Sequence, residues 1–372
     1  MTDIRRTLLW VVFTMSLVLL WDAWNKHTGA PSLFGGSAPR PVAASAPPTV
    51  PGSAAVPSVA VPSATTAPPT SAAVPGSGPA PAPAAGAAEL ITLTTDVLRA
   101  SIDTRGGDIV RLELLRYRDH VNPASNVVLF DRSRERLYFA RTGLATVDGV
   151  AFPNHETVFV PKAGERELKS DAGQLELQLE SPELNGMRVR KTLTLRRGDY
   201  RIGVKHELSY SGANTLSPQL YMQLVRDGNP PAGESSFYFT FTGPAVYTDA
   251  KKFEKIDFSD IEKGKADYQR SADNGWIAMV QHYFASAWLI GAGPRDYVTN
   301  KVGDNQYALA MMVKLGTLAP QATLTHDATL YAGPQEEKKL EALAPGLDLV
   351  KDYGYFTILA KPLYWLLDRL YQ

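Results

Sequence analysis

The sequence predicts a mainly β fold, antiparallel sheets packed face to face, carried behind one transmembrane helix and a long unfolded tether. Three observations predict it. About a dozen short runs alternate apolar and polar residues after Glu89, little helical periodicity lies between them, and a proline-rich stretch separates this part from an apolar N-terminus. The composition is that of two polymers joined end to end, because 14 of the 27 prolines fall within residues 30–88. Thirty-eight basic residues balance 38 acidic ones, which argues against a nucleic-acid partner, since such partners select clustered Lys and Arg. With no cysteine there is no disulfide scaffold, no thiol nucleophile and no thiolate metal site.

Residues 1–29 read as a cytoplasmic N-terminus and a signal-anchor helix. Thr7 to Trp21 is uncharged and mostly apolar, preceded by Arg5 and Arg6 and followed by Asp22, Trp24 and Lys26. Extended to Trp24 it approaches the low end of the roughly 17–25 residues that cross a bilayer. Trp10, Trp21 and Trp24 lie near its ends, where indole rings favour the headgroup zone. A cleaved signal peptide is the rival reading, but the small-x-small tripeptide Ala44-Ser45-Ala46 falls well beyond the apolar run. Arg5 and Arg6 place the N-terminus in the cytoplasm by the positive-inside rule, so everything after the anchor lies across the membrane.

Residues 30–88 are almost entirely Pro, Ala, Ser, Val, Gly and Thr, with Arg40 as the one charge. Such a segment has nothing to bury, so it reads as a disordered tether whose ends would sit about 40–45 Å apart. From Glu89 to residue 350 the alternating grammar takes over. Ile91 to Thr94, Val97 to Ile102 and Ile109 to Leu115 read as strands, with Arg105-Gly106-Gly107 as a turn. The pattern recurs at Gln174 to Leu179, Met187 to Leu195, Tyr200 to Tyr210, Leu216 to Val225 and Phe237 to Phe241. It returns at Trp276 to Val280, Ala285 to Leu289, Tyr307 to Val313 and Ala322 to Tyr331. Arg197-Gly198-Asp199 sits where a hairpin turn is required and reads as one.

Two helices are expected near the end. Gly333-Pro334 before Glu336 and Glu337 places proline at a first helical position, and Pro345-Gly346 stops that helix. In the last segment, 351–372, the run from Pro362 to Tyr371 puts Leu363, Leu366, Leu367 and Leu370 on one side, with Tyr364 and Trp365 beside them and Asp368 and Arg369 opposite. It fits a helix lying in a membrane interface, and equally a helix packed on the sandwich.

Signals for chemistry are weak. No two of the six histidines are spaced to share a helical face, no zinc signature or G-x-S-x-G elbow appears, and Arg105-Gly106-Gly107 lacks the Lys-Ser/Thr of a phosphate loop. Paired carboxylates could form a sugar-handling site in a sandwich cleft, but nothing in the sequence selects two of the 38 acids.

Several stretches are similar to the YidC-type membrane protein insertases of Gram-negative bacteria. They are Thr95 to Leu98 with Ile102 to Asp108, then Arg197 to Tyr200, then Gly275 to Ala285. In the closing part they are Leu330 to Pro334, Ala344 to Leu349, Asp352 to Tyr355 and Lys361 to Leu363. The resemblance implies an inner-membrane protein whose first periplasmic domain is a large β-supersandwich of galactose-mutarotase-like shape, with no established sugar chemistry. It implies a protein that is not an enzyme and needs no cofactor, ATP or metal. Its partners would be nascent membrane proteins, the Sec translocon with its accessory subunits, and the lipid bilayer. By position, Gly243 to Phe258 resembles the part implicated in docking those subunits, which singles out Lys251, Lys252, Phe253, Glu254 and Lys255. The same alternation of charge suits an ordinary solvated loop. In the family, insertion is performed by a membrane core with a hydrophilic groove that follows the interface helix, so the resemblance implies either a fragment of such an insertase or a truncated product that lacks the groove. A membrane-tethered docking module and a sugar-binding β-sandwich protein are the alternatives.

Overall fold

The computed structural model describes residues 14–16, 18, 87–147, 149–231, 233 and 240–351. The chain divides into two units, Met1–Pro68 and Pro69–Gln372. In the first, Thr14, Met15, Ser16 and Val18 are helical and exposed. The rest of the expected anchor, including Arg5, Arg6, Trp10, Trp21 and Trp24, lies outside the described residues, and among those described no helix is long and apolar enough to cross a membrane. The tether and the expected interface helix with Leu363, Trp365, Leu366, Leu367 and Leu370 also lie outside them.

In the second unit the strands are, in chain order, β1 (Leu90–Thr94), β2 (Leu98–Asp103), β3 (Asp108–Arg118), β4 (Asn126–Arg132), β5 (Leu137–Leu144), β6 (Val160–Pro161), β7 (Gln174–Glu180), β8 (Met187–Arg196) and β9 (Arg201–Tyr210). They continue with β10 (Gln219–Asp227), β11 (Gly243–Thr248), β12 (Lys252–Lys255), β13 (Ser271–Ala272), β14 (Trp276–Gln281), β15 (Phe284–Leu289), β16 (Arg295–Gly303), β17 (Gln306–Lys314) and β18 (Thr323–Pro334). One nine-stranded sheet runs β1-β2-β3-β4-β5-β10-β17-β16-β13, and a second runs β12-β11-β14-β15-β18-β9-β8-β7-β6. All their strand pairings are antiparallel. The mainly β sandwich expected from the sequence is therefore what forms.

Some strands alternate as half-buried strands do. β7 and β9 bury every second residue, Leu175, Leu177 and Leu179 in the one and Ile202, Val204, His206 and Leu208 in the other. Others do not. β11 and β14 are buried along both faces, and β5, β10 and β17 nearly so. Residues 152–159 cover one of these faces: Leu144 N donates to Pro153 O at 3.1 Å and Phe159 N to Thr104 O at 2.8 Å, while Phe152 and Phe159 are buried. Cross-layer hydrogen bonds tie the sheets together. Tyr138 of β5 meets Ser286 of β15 at 2.5 Å, and the Trp288 indole donates to Gln223 O at 3.2 Å.

The expected turn at Arg105-Gly106-Gly107 is present, with Gly106 at φ +77°. A Cβ there would lie 2.6 Å from the Asp108 carboxylate and 2.6 Å from His155 O, so only glycine fits. The helix near the end forms one turn later than its proline suggests. Pro334 is the last residue of β18, and α2 runs Glu337–Leu343, after the short α1 at Phe258–Glu262. Pro334 ends the ladder instead of opening the helix because β18 pairs with β15 through Phe284↔Pro334, where the missing N–H costs no bond. Gly346, at φ +69°, then opens a 3-10 turn at Leu347–Val350 whose Leu347 and Val350 are fully buried.

Candidate docking edge and the buried polar cluster

The stretch singled out by resemblance folds as an edge hairpin, not as a loop. β11 and β12 pair through Thr248↔Lys252, Tyr247↔Phe253, Val246↔Glu254 and Ala245↔Lys255, and β12 is the outermost strand of its sheet. The Thr248 hydroxyl accepts from Lys251 N at 3.1 Å, and Lys252 turns the corner at φ +61°. Lys251, Lys252 and Lys255 are exposed, while Phe253 and Glu254 are half-buried. A short strand carrying lysines is how an edge is kept from pairing indiscriminately.

What holds this edge is aromatic. Tyr247 and Trp276 stack at 5.3 Å with their planes 7° apart, and Phe253 tilts onto Trp276 at 5.9 Å. Lys252 Nζ lies 6.0 Å over the Tyr247 ring, and Lys255 Nζ lies 5.2 Å over Phe241. Glu254 turns inward to accept from Gln269 N at 3.0 Å. The Trp276 indole donates to Pro345 O at 3.0 Å, so the segment that follows α2 rests on the same ring that anchors Phe253. A cavity of about 470 Å³ opens beside Tyr247 and Trp276, and Arg201, Arg295, Asp327 and Leu343 are among its walls. Arg295 is 2% exposed and spends its guanidinium on backbone carbonyls, 2.7 Å to Gly275 O, 2.9 Å to Gly293 O and a short bond to Gly291 O. Its burial holds its pKa below the usual value, though nearby Tyr297 and Asp273 oppose this.

The second polar feature was not anticipated. Lys191 points into the core from β8, where its neighbours Val189 and Leu193 are also buried. Its ammonium donates to Gly106 O at 2.5 Å and Thr142 O at 2.8 Å, and sits 4.9 Å over the Phe159 ring. Burial lowers its pKa to about 8, against the pull of the Asp108 charge. Asp108 is 2% exposed, and burial pushes its carboxyl up to about 7, opposed first by Arg141 and then by Lys191. Arg141 donates to Gln223 at 2.5 Å. His155 meets the Tyr221 hydroxyl at 2.5 Å, and burial followed by the Arg141 charge brings its pKa down to about 3, so its ring is neutral at pH 7.

These groups have the chemistry a sugar site would need, but segment 152–159 covers them: Arg141 is 9% exposed, His155 5%, and Gln223 and Tyr221 0%. Among the described residues no group of three His, Asp or Glu side chains is placed to hold a metal ion. Lys191 was legible as a lone charge at an inward position of an alternating strand. Trp276 stood inside a recognised stretch, but its contact with Pro345 joins residues 69 apart and has no local signature.

Comparison with known proteins agrees with this architecture. The family model described as the YidC periplasmic domain matches residues 90–366. The chain is 46% identical over 372 residues, all of its length, to "Membrane protein insertase YidC" of Janthinobacterium sp. (strain Marseille), and 48% identical over 376 residues, 99% of its length, to the protein of that name from Cupriavidus necator. It spans 64% of the length of each of these relatives. Among solved structures it is similar to a galactose mutarotase related enzyme from Lactobacillus acidophilus, at 9% identity and a TM-score of 0.41 over 66% of this chain and 97% of that one. A putative aldose 1-epimerase from Escherichia coli K12 gives 12% identity and a TM-score of 0.40 over 67% and 100%. Likenesses this weak carry no sugar chemistry across. The extent of the family match and the identity of the relatives show that the chain belongs to the YidC membrane protein insertase family and contains its periplasmic domain.

Proposed function

We propose that this chain is the anchor and periplasmic domain of an inner-membrane insertase that helps integral membrane proteins enter and fold in the bilayer, alone or with the Sec translocon. The observation that carries the reading is the 46–48% identity, over essentially the whole chain, to proteins named membrane protein insertases. In this reading residues 1–29 anchor the chain with Arg5 and Arg6 in the cytoplasm, residues 30–88 tether, residues 89–350 work in the periplasm and residues 351–372 lie along the membrane interface. Insertion lowers the cost of moving polar flanks through hydrocarbon, and no covalent step is required.

Within the domain the proposed docking face for Sec accessory subunits is the β11–β12 edge. Its supports are three exposed lysines, Lys251 in the turn and Lys252 and Lys255 on a strand pinned from behind by Phe253 on Trp276. The test is capture of purified Sec accessory subunits by the full protein and by its Lys251→Glu/Lys252→Glu/Lys255→Glu variant. The reading expects binding that weakens with salt and is lost in the variant. Equal capture by both would remove the docking role from this edge. Growth of insertase-depleted cells rescued by the full protein tests the insertase reading itself.

A further inference from the structure

The end of the domain that holds the last described residues also carries an aromatic tip. His282 and Tyr283 form the whole loop between β14 and β15, because Gln281 pairs directly with Phe284. Phe284 packs edge-on against Tyr117 at 5.6 Å, whereas Tyr283 is 65% exposed. The Tyr283 backbone has φ +68°, a left-handed conformation that glycine or asparagine adopts far more readily than a bulky aromatic. A turn alone would favour either of those residues, so folding does not account for the ring. The His282 ring sits 3.5 Å from it, centre to centre.

This tip is tied to the last described residues. Gln335 N donates to Tyr283 O at 2.9 Å, and the Gln335 amide donates to Gln281 O and Phe284 O at 3.1 Å each. Two residues on, Glu337 meets Lys351, the last described residue, at 3.5 Å. Leu349, two residues before it, is 38% exposed. The sequence then continues with Tyr353, Tyr355, Phe356, Tyr364, Trp365 and the leucine stripe from Leu363 to Leu370. A tyrosine ring with its hydroxyl outward suits the boundary between headgroups and acyl chains. The lysines at this end are balanced, Lys339 against Glu336 at 2.6 Å and Lys351 against Glu337. The ring, not net charge, is therefore the feature that would hold lipid.

We propose that the His282-Tyr283 loop is a lipid-surface contact, with the Tyr283 ring seated in the headgroup region of the leaflet that receives residues 362–371. This rests on the reading of 351–372 as an interface segment. The contact orients the domain on the bilayer and does not need anionic lipid.

Because the chain has no cysteine, single cysteines report position cleanly in the full protein. The experiment reconstitutes Tyr283→Cys, Val160→Cys and Leu366→Cys variants into phosphatidylcholine vesicles, each with an environment-sensitive fluorophore, and adds lipids bearing a headgroup nitroxide quencher. Val160 is the solvent control. It is 66% exposed and pairs with Glu180, and the Glu180–Arg190–Glu207–Thr325 registers place it nine residues along β18 from Pro334, roughly 30 Å. The proposal expects the label at 283 to lose most of its emission and the label at 160 to keep it. Quenching at 366 with none at 283 overturns the proposal alone, and none at either overturns the interface reading with it. A second measurement uses a Leu349→Cys reporter with and without Tyr283→Gly, a change that relieves the backbone. Reduced quenching at 349 in the glycine variant supports the contact, and unchanged quenching overturns it.

Discussion

Replacing Gly346 by alanine tests how the C-terminal segment is seated on the domain. Gly346 has φ +69°, and a Cβ there would overlap the Tyr247 ring, which is itself stacked on Trp276. The left-handed backbone alone costs a non-glycine residue about 1–2 kcal/mol. Tyr247 cannot swing aside without leaving Trp276, whose indole holds Pro345 O at 3.0 Å, and losing that hydrogen bond adds about 1 kcal/mol. The alternative is for the turn at Leu347–Val350 to lift off, exposing two fully buried side chains. The first route costs about 2–3 kcal/mol and the second about 3–6 kcal/mol, so the first sets the loss, which urea unfolding of the full protein in detergent would read as a midpoint lowered by about 1 M. Hydrogen exchange should show faster opening of the amides at 347–351 than in the parent protein, ahead of any change in the central strands. A loss below about 0.5 kcal/mol with unchanged exchange at those amides would mean that Tyr247 and Trp276 do not hold this segment.

Lys191→Met removes the ammonium that satisfies Gly106 O and Thr142 O and leaves the Asp108 carboxyl among fewer positive neighbours, so thermal or urea unfolding should show a loss of about 3–5 kcal/mol. Adding Asp108→Asn should recover part of that loss, whereas strict additivity would show that the two do not interact. The Asp108 carboxyl, raised from 3.8 to about 7, keeps in the folded state a proton that the unfolded chain releases. Its contribution to stability is therefore complete below pH 3.8 and disappears as pH rises through 7. Buried His155 and His206, whose pKa values are lowered, pull the other way, losing stability as pH falls below 6.5. Comparing the parent with Asp108→Asn isolates the carboxyl: the stability of the parent relative to the variant should decline between about pH 4 and pH 7 and level off above, and a constant difference would contradict its raised pKa.

The alternating strands were legible because one face of each meets solvent. The leucines of β7 and the inward residues of β9 follow the two-residue period closely. β5 and β11 were not, because each interrupts its apolar residues, with buried Arg141, Thr142 and Gly143 in the one and Gly243 and Pro244 in the other, whereas β14, buried on both faces as an apolar run, was read. β4 and β16 are irregular in another way, with register shifts in their pairings to β3 and β17 that break the alternation. The edge hairpin was read from position in a family pattern, and its charges alone suited a loop equally well. That β12 is a strand follows from its ladder with β11 and from Phe253 reaching Trp276, a contact between residues 23 apart in sequence. The Asp108–Lys191 pair joins two sheets across 83 positions, and only the lysine half, as a charge facing inward on β8, left a trace in the sequence.

In the proposed topology residues 89–350 lie in the periplasm on a chain whose N-terminus is cytoplasmic. Single cysteines in the full protein, at Thr2 and at exposed Val160, can be exposed to a membrane-impermeant maleimide in cells with a permeabilised outer membrane. The account predicts labelling at 160 in intact spheroplasts and labelling at 2 only after the inner membrane is lysed. Labelling at 2 with protection at 160 would contradict it.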